Sequence, residues 1–277
     1  MSPRRILIIS SGLPTGGAEL RLLSLLETLD RNQYEPWVLS LLDEGDIGPQ
    51  IRQLGIPVET LQLGGATRLP RGLLKLSRIL KTFRPNLIQG WMYHANIVAL
   101  IARIIAPGSV PVFFGIRNAL GNWDQEKTGT RRVIKINAHL SRFAEKVIFP
   151  GQACAEQHWT LGFSKANSTI IENGIDCEKF HPDPNDRRAI RSELGLEPHE
   201  LVIGFAARFH PVKDHATFLR AAGRVANAYP EARWLLAGSG IDDQNPALTQ
   251  LILEAGLSEK VLLLGNRSDM PRIYRAM

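Results

Sequence analysis

Short apolar runs alternate with amphipathic helical patterns along nearly the whole chain, and no other feature restricts the fold as strongly. The first run, RILIIS at residues 5–10, feeds the loop SSGLPTGGAEL, after which Leu22, Leu25, Leu26 and Leu29 recur at helical spacing. Further apolar runs at 36–42, 57–61, 87–89, 110–115, 147–149 and 169–171 are separated by helical patterns. Strands that alternate with helices form a parallel sheet covered on both faces, so the expected class is α/β.

The pattern is interrupted once. IIENGIDCEKFHPDPNDRR carries the turn dipeptide Asn173-Gly174 and then a Pro/Asp/Asn-rich run. Beyond it the alternation restarts, with strands at 201–207, 234–237 and 261–264 and helices at 214–228 and 246–255. We expect two doubly wound domains in tandem, residues 1–172 and 173–277. Only three convincing strands follow Asn173, whereas a dinucleotide-type sheet needs a second set to form its switch-point crevice. The second domain therefore reads as incomplete, with an exposed sheet edge and apolar surface as the expected consequence.

Three loops at strand ends carry candidate chemistry. In IGFAARFHPVKD, residues 203–214, an apolar run ends in a proline-bearing turn that opens a helix, and Arg208 and Lys213 add two cations to the positive helix end. A guanidinium forks onto phosphate oxygens and an ammonium supplies a mobile point charge, so the pair suits a diphosphate, although a surface turn with two solvated cations has the same sequence. In the first loop, Gly16 and Gly17 permit close backbone approach to a ligand, with Glu19 in the first helical turn; a plain tight turn is equally compatible, and no G-x-G-x-x-G fingerprint is present. His94 stands after the strand at 87–89, where an imidazole can bond a sugar hydroxyl or assist proton movement, or simply pack beside Trp91 and Tyr93. Arg117 and Asn118 occupy the corresponding rim one strand further on.

Charge and composition narrow the partners. With 33 Lys+Arg against 27 Asp+Glu the chain is basic, and no acidic residue occurs between Glu59 and Asp124. Within that stretch the helix at 71–83 places Leu73, Leu76, Leu80 and Phe83 on one face and Arg71, Lys75 and Arg78 on another. A second basic helix at 127–142 carries Arg131, Arg132, Lys135 and Arg142. Both read either as solvated faces of packed helices or as surfaces for anionic lipid or an anionic acceptor. No nucleic-acid reading module and no aromatic residues interleaved with the cations are present, so nucleic acid is not expected as a partner. The N-terminal apolar run is too short for a signal peptide, no run approaches the roughly 18 residues of a membrane span, and Cys154 and Cys177 lack metal-ligand spacing. A cytoplasmic protein, with at most peripheral contact at the inner face of the plasma membrane, is expected.

The diglycine loop, the histidine after a mid-domain strand, NGID with Phe180 nearby, and Arg208 five residues before Lys213 together resemble a family 4 glycosyltransferase of the retaining GT-B class, over the whole length present. The resemblance implies two Rossmann-like domains facing a cleft, with the acceptor, a lipid-linked or cell-surface glycan, held by the first and a nucleotide-sugar by the second. It implies that Gly16 and Gly17 approach the donor diphosphate, that Arg208 and Lys213 hold it, and that His94 lies at the sugar and acceptor side. It also implies that the backbone near Gly265, Asn266 and Arg267 borders the nucleobase. No cofactor is implied beyond the donor, and the chain has no Asp-x-Asp pair to bring a metal to the phosphates. Two departures stand out. Ala207 replaces the family's glycine before the arginine, and the family's paired glutamates would fall beyond Met277. On that basis weak donor binding and little transfer are expected. A nucleotide-sugar epimerase and a non-catalytic membrane-associated binding subunit are the alternatives.

Overall fold

The computed structural model describes residues 2–65, 68–121, 123 and 126–277. Asp124, which bounds the acid-free stretch, lies outside the described residues. Contacts divide the chain into two compact units, Met1–Asn173 and Gly174–Met277.

The first unit begins with β1 (Arg4–Ser10), α1 (Gly17–Thr28), β2 (Tyr34–Ser40), α2 (Ile47–Gln53) and β3 (Val58–Thr60). It continues with α3 (Leu69–Phe83), β4 (Leu87–Trp91), α4 (Tyr93–Ile105), β5 (Val112–Gly115) and α5 (Thr128–Leu140). A 3-10 turn at Ser141–Phe143 leads to β6 (Lys146–Phe149), α6 (Gln152–Thr160) and β7 (Ser168–Ile170). All seven strands are parallel, in the order β3-β2-β1-β4-β5-β6-β7, with Ile8 opposite both Val38 and Gln89. The order reverses between β1 and β4, and at such a switch point the flanking connections diverge to leave a crevice beyond the strand ends.

The alternation of side chains along β1 explains why its run is apolar throughout. Leu7 and Ile9 enter a core with Leu39, Leu76, Leu80, Ala99 and Phe114, whereas Ile8 enters a second core with Leu22, Leu26, Val38 and Ile51. Helices α1 and α2 cover one face of the sheet, and α3 and α4 cover the other.

Helix α3 is rotated relative to the expected stripe. Gly72, Leu76, Ile79, Leu80 and Phe83 are buried, while Leu73 is exposed together with Leu69 and Leu74. Gly72 packs closely against Leu63, whose methyl group a side chain there would strike, and Leu73 turns outward. Of the expected cationic face, Lys75 is bound to Glu59 at 2.7 Å and to the Thr60 carbonyl at 2.8 Å.

The second unit contains α7 (Pro184–Glu193), β8 (Val202–Ala206), α8 (His215–Ala228), β9 (Arg233–Ala237), α9 (Pro246–Glu254), β10 (Val261–Leu263) and α10 (Met270–Ala276). Its three strands are parallel in the order β10-β9-β8. Alternation again splits the core: Trp234 and Leu236 pack with Leu219, Leu248 and Ile252, and Leu235 packs with Ile190, Val202 and Ile273. The Pro/Asp/Asn-rich run both breaks the first pattern and starts α7, because Asp183 accepts hydrogen bonds from the amides of Asn185 and Asp186 and Pro184 fits the first helical position. Buried Arg191 then donates to the carbonyls of Ala276, Glu197 and Glu200, and Asp186 pairs with Arg272 and Arg275, which fixes α10 against α7.

Candidate functional site

In the second unit the candidate phosphate loop follows β8. The Ala207 amide donates to the Ala237 carbonyl and the Phe209 amide to the Ser239 carbonyl, each at 2.8 Å, so the loops after β8 and β9 run together. Gly238 makes this approach possible, since a side chain there would collide with the Ala207 carbonyl and the Arg208 amide. A 3-10 turn at Pro211–Lys213 leads to Asp214, which has left-handed backbone (φ 53°) and caps α8 through the Thr217 amide. His215, buried beneath the loop, contacts the rings of Phe205 and Phe209 at 4.8 and 5.2 Å, and burial lowers its pKa. Arg208 and Lys213 are exposed, and their side chains have no hydrogen-bond or ion-pair partner among the described residues. A rigid loop thus presents two uncommitted cations beside a helix start, an arrangement suited to a diphosphate.

The loop after β10 is different. Gly265 has φ 62° and donates to Ile241, and Asn266 is exposed. The Arg267 guanidinium is committed to Asp269 at 2.7 and 2.8 Å and to Glu193 at 3.2 Å, which raises its pKa. What this segment can offer a ligand is its backbone and Asn266, not the arginine's charge.

In the first unit the Gly16–Gly17 loop and His94 follow β1 and β4, the two strands at the switch point. Gly16 is the extended N-cap of α1, with the Glu19 carboxylate lying against it, and Gly17 is open to solvent. The loop is held by Asp46, which accepts from the Thr15 hydroxyl at 2.8 Å, and by the Ile47 amide bonding the Leu13 carbonyl. His94 is exposed in the first turn of α4, directly after Met92 and Tyr93. Met92 has φ 78°, a conformation that costs a non-glycine residue of order 1–3 kcal/mol and that clusters at functional sites. The α4 start is fixed by Asn96, whose side chain accepts from the Gly115 amide and packs where Gly90 leaves room, and by the buried Tyr93 hydroxyl, 2.7 Å from His158 Nε2.

Arg117 and Asn118 follow β5, next to β4 in the sheet. Asn118 is exposed, and its carbonyl accepts from the buried Cys154 thiol at 3.2 Å. The Arg117 guanidinium lies 4.0 Å from the centre of the Trp91 ring, and Trp91 in turn donates to the Ala18 carbonyl in α1. The structure thus brings Gly16, Gly17, His94 and Arg117 to the ends of three adjacent strands, and separately brings Arg208 to Lys213. Sequence reasoning missed the Trp91 platform, the Met92 backbone, the Asp46 clamp and His215. Only the Asp214-His215 helix start had a local signal.

The family model described as Glycosyltransferase Family 4 matches residues 15–179, and that described as Glycosyl transferases group 1 matches residues 200–277. The D-inositol 3-phosphate glycosyltransferase of Mycobacterium sp. (strain KMS) is 36% identical over 139 residues, 48% of this chain and 30% of that protein. The match thus spans under a third of the curated relative's length. Anabaena HepE, solved in complex with UDP and glucose, is 27% identical with a TM-score of 0.79, covering 99% of this chain and 72% of that one. Sucrose-phosphate synthase from Thermosynechococcus elongatus shares the fold at a TM-score of 0.72 and 18% identity, covering 99% of this chain and 73% of that one. With family models matching both units and the α/β GT-B architecture in place, the chain belongs to the family 4 glycosyltransferases.

Proposed function

We propose that the protein moves a sugar, with retention, from a nucleotide-sugar to a glycan or lipid-linked acceptor at a membrane surface. The observation that carries this reading is the rigid loop after β8, with Arg208 and Lys213 both uncommitted among the described residues. Breaking the bond between the anomeric carbon and the donor phosphate oxygen leaves negative charge on the diphosphate, and two preorganised cations stabilise that charge as it develops. The proton of the acceptor hydroxyl passes to the departing diphosphate as the new bond forms on the same face of the sugar, so no enzyme nucleophile is required.

In this reading Gly16 and Gly17 keep backbone open to a ligand at the end of β1, and His94 and Asn118 bond hydroxyls on the acceptor side. The backbone of residues 265–267, with Asn266, borders the nucleobase. A UDP-linked donor is favoured by the UDP complex of HepE. The family models favour a transferase over an epimerase. No helix among the described residues is long and apolar enough to cross a membrane. Contact with anionic lipid is proposed for α3, which exposes Leu69, Leu73 and Leu74 near Arg71 and Arg78.

Turnover tests the reading. UDP release from UDP-hexoses, assayed with a mixed glycan acceptor, is expected to fall about a hundredfold in Arg208→Ala. Equal release by wild type and variant contradicts the assignment.

A further inference from the structure

Several arginines in this chain are paired internally, and among the described residues the Arg117 guanidinium is not. Arg191 gives its donors to three carbonyls, Arg267, Arg272 and Arg275 meet carboxylates, and Arg103 reaches the Phe143 carbonyl. Arg117 has neither a carboxylate nor a carbonyl partner among the described residues; its Nε is buried and unbonded there, as is that of Arg191, but Arg191 pairs both terminal nitrogens and Arg117 neither. It stacks on the Trp91 ring. Desolvating a guanidinium without pairing it is unfavourable, and a half-buried cation with spare donors suits an anion.

The surroundings are built to hold that side chain still. The Ile116 amide bonds the Ile148 carbonyl, the Asn118 carbonyl takes the Cys154 thiol, and the Leu120 amide bonds Gln157, so the backbone on both sides of Arg117 is anchored. Trp91 is 1% exposed and tied to Ala18. Arg117 therefore sits on a fixed platform, the Trp91 ring at the end of β4, the strand that leads to His94. Burial lowers its pKa to about 10, so it remains cationic at neutral pH.

We propose that Arg117 is the receptor for an anionic group, a phosphate or carboxylate, carried by the acceptor close to the hydroxyl that is glycosylated. The assignment rests on the transferase reading for the word acceptor; the anion site itself does not. A fork of guanidinium donors whose face is already occupied by Trp91 selects planar or tetrahedral oxyanions over neutral hydroxyls.

The test is NMR of ¹⁵N-labelled full chain, following the Arg117 Nε–H resonance assigned by its loss in Arg117→Lys. Inorganic phosphate, malonate, glucose and UDP are titrated separately. Phosphate or malonate is expected to shift the resonance saturably, the stronger of the two naming the oxyanion, while glucose leaves it unmoved. UDP is expected to bind without displacing the anion. Arg117→Gln should weaken anion binding at least about tenfold without changing UDP affinity, and Arg117→Lys should lose part of that affinity while remaining folded. No saturable shift with either anion, or displacement of the anion by UDP, overturns the proposal, the second result assigning Arg117 to the donor diphosphate. Failure of UDP to bind while phosphate still saturates Arg117 removes the transferase reading and leaves the anion site standing.

Discussion

Gly17 and Met92 are backbone decisions made one residue at a time, and each can be tested alone. A side chain at Gly17 meets nothing within 4 Å, so the fold itself does not require glycine there. Gly17→Val is expected to change stability by less than about 0.5 kcal/mol and to weaken UDP-sugar turnover at least tenfold, as read by denaturant midpoint and UDP release. Loss of stability with unchanged turnover would make the diglycine a turn and nothing more. Met92, with φ 78°, is strained in the opposite sense. Met92→Gly relieves that strain but removes a side chain packed against both cores, so its stability should change little, while activity falls if the strained backbone sets the position of His94; unchanged activity would separate the strain from the site.

At the scale of elements, strands and most helices were legible, the nine-residue α9 among them, and α2, α7 and α10 were not. Buried strands in a parallel sheet are apolar on both faces, as RILIIS and the run around Trp234 to Leu236 show, so they stand out against any loop. Helices α2, α7 and α10 are seven to ten residues long and show no long apolar stripe, whereas α9, equally short, carries Leu248, Leu251 and Ile252 at helical spacing. In α3 the stripe was read one step off because a glycine packs where a leucine was expected. Site residues divide in the same way. Arg208 and Lys213 lie on one loop and were readable together, whereas Arg117 reaches Trp91 only because β4 and β5 are neighbours in the sheet. The Asp183 cap is local and strong: Asp183→Ala should cost the second unit about 1 kcal/mol, measured by urea unfolding, and a neutral result would mean that α7 is held by its contacts with α10 alone. For α3, Arg71→Glu with Arg78→Glu should abolish flotation with anionic vesicles and leave the fold intact; unchanged flotation would move any membrane contact elsewhere.

At the scale of the whole chain, each unit buries one histidine away from water. Burial lowers the pKa of His158 in the first unit and of His215 in the second. A histidine whose folded pKa lies below its unfolded value takes up its proton first in the unfolded state. The stability it contributes is present above the unfolded pKa, about 6.5, and is lost as pH falls through that value toward the folded one. Asp183 is held below the usual carboxylate range by the amides of Asp186 and Asn185, and Asp186 by Arg275 and Arg272, so these acids stay ionised across the same window. Urea midpoints should therefore fall between pH 7.5 and pH 5.5 for both units, and His158→Gln should flatten the change in the first only. Midpoints that rise on acidification would show that the two imidazoles are charged in the folded protein.

The most direct test of a family 4 transferase with its diphosphate site after β8 is calorimetric titration of UDP into the 277-residue chain and into Arg208→Ala. The account predicts saturable binding by the wild type, weakened about ten- to hundredfold in the variant, with the melting temperatures of the two proteins alike because Arg208 is exposed and unpaired. Equal affinity of the two proteins for UDP would contradict it.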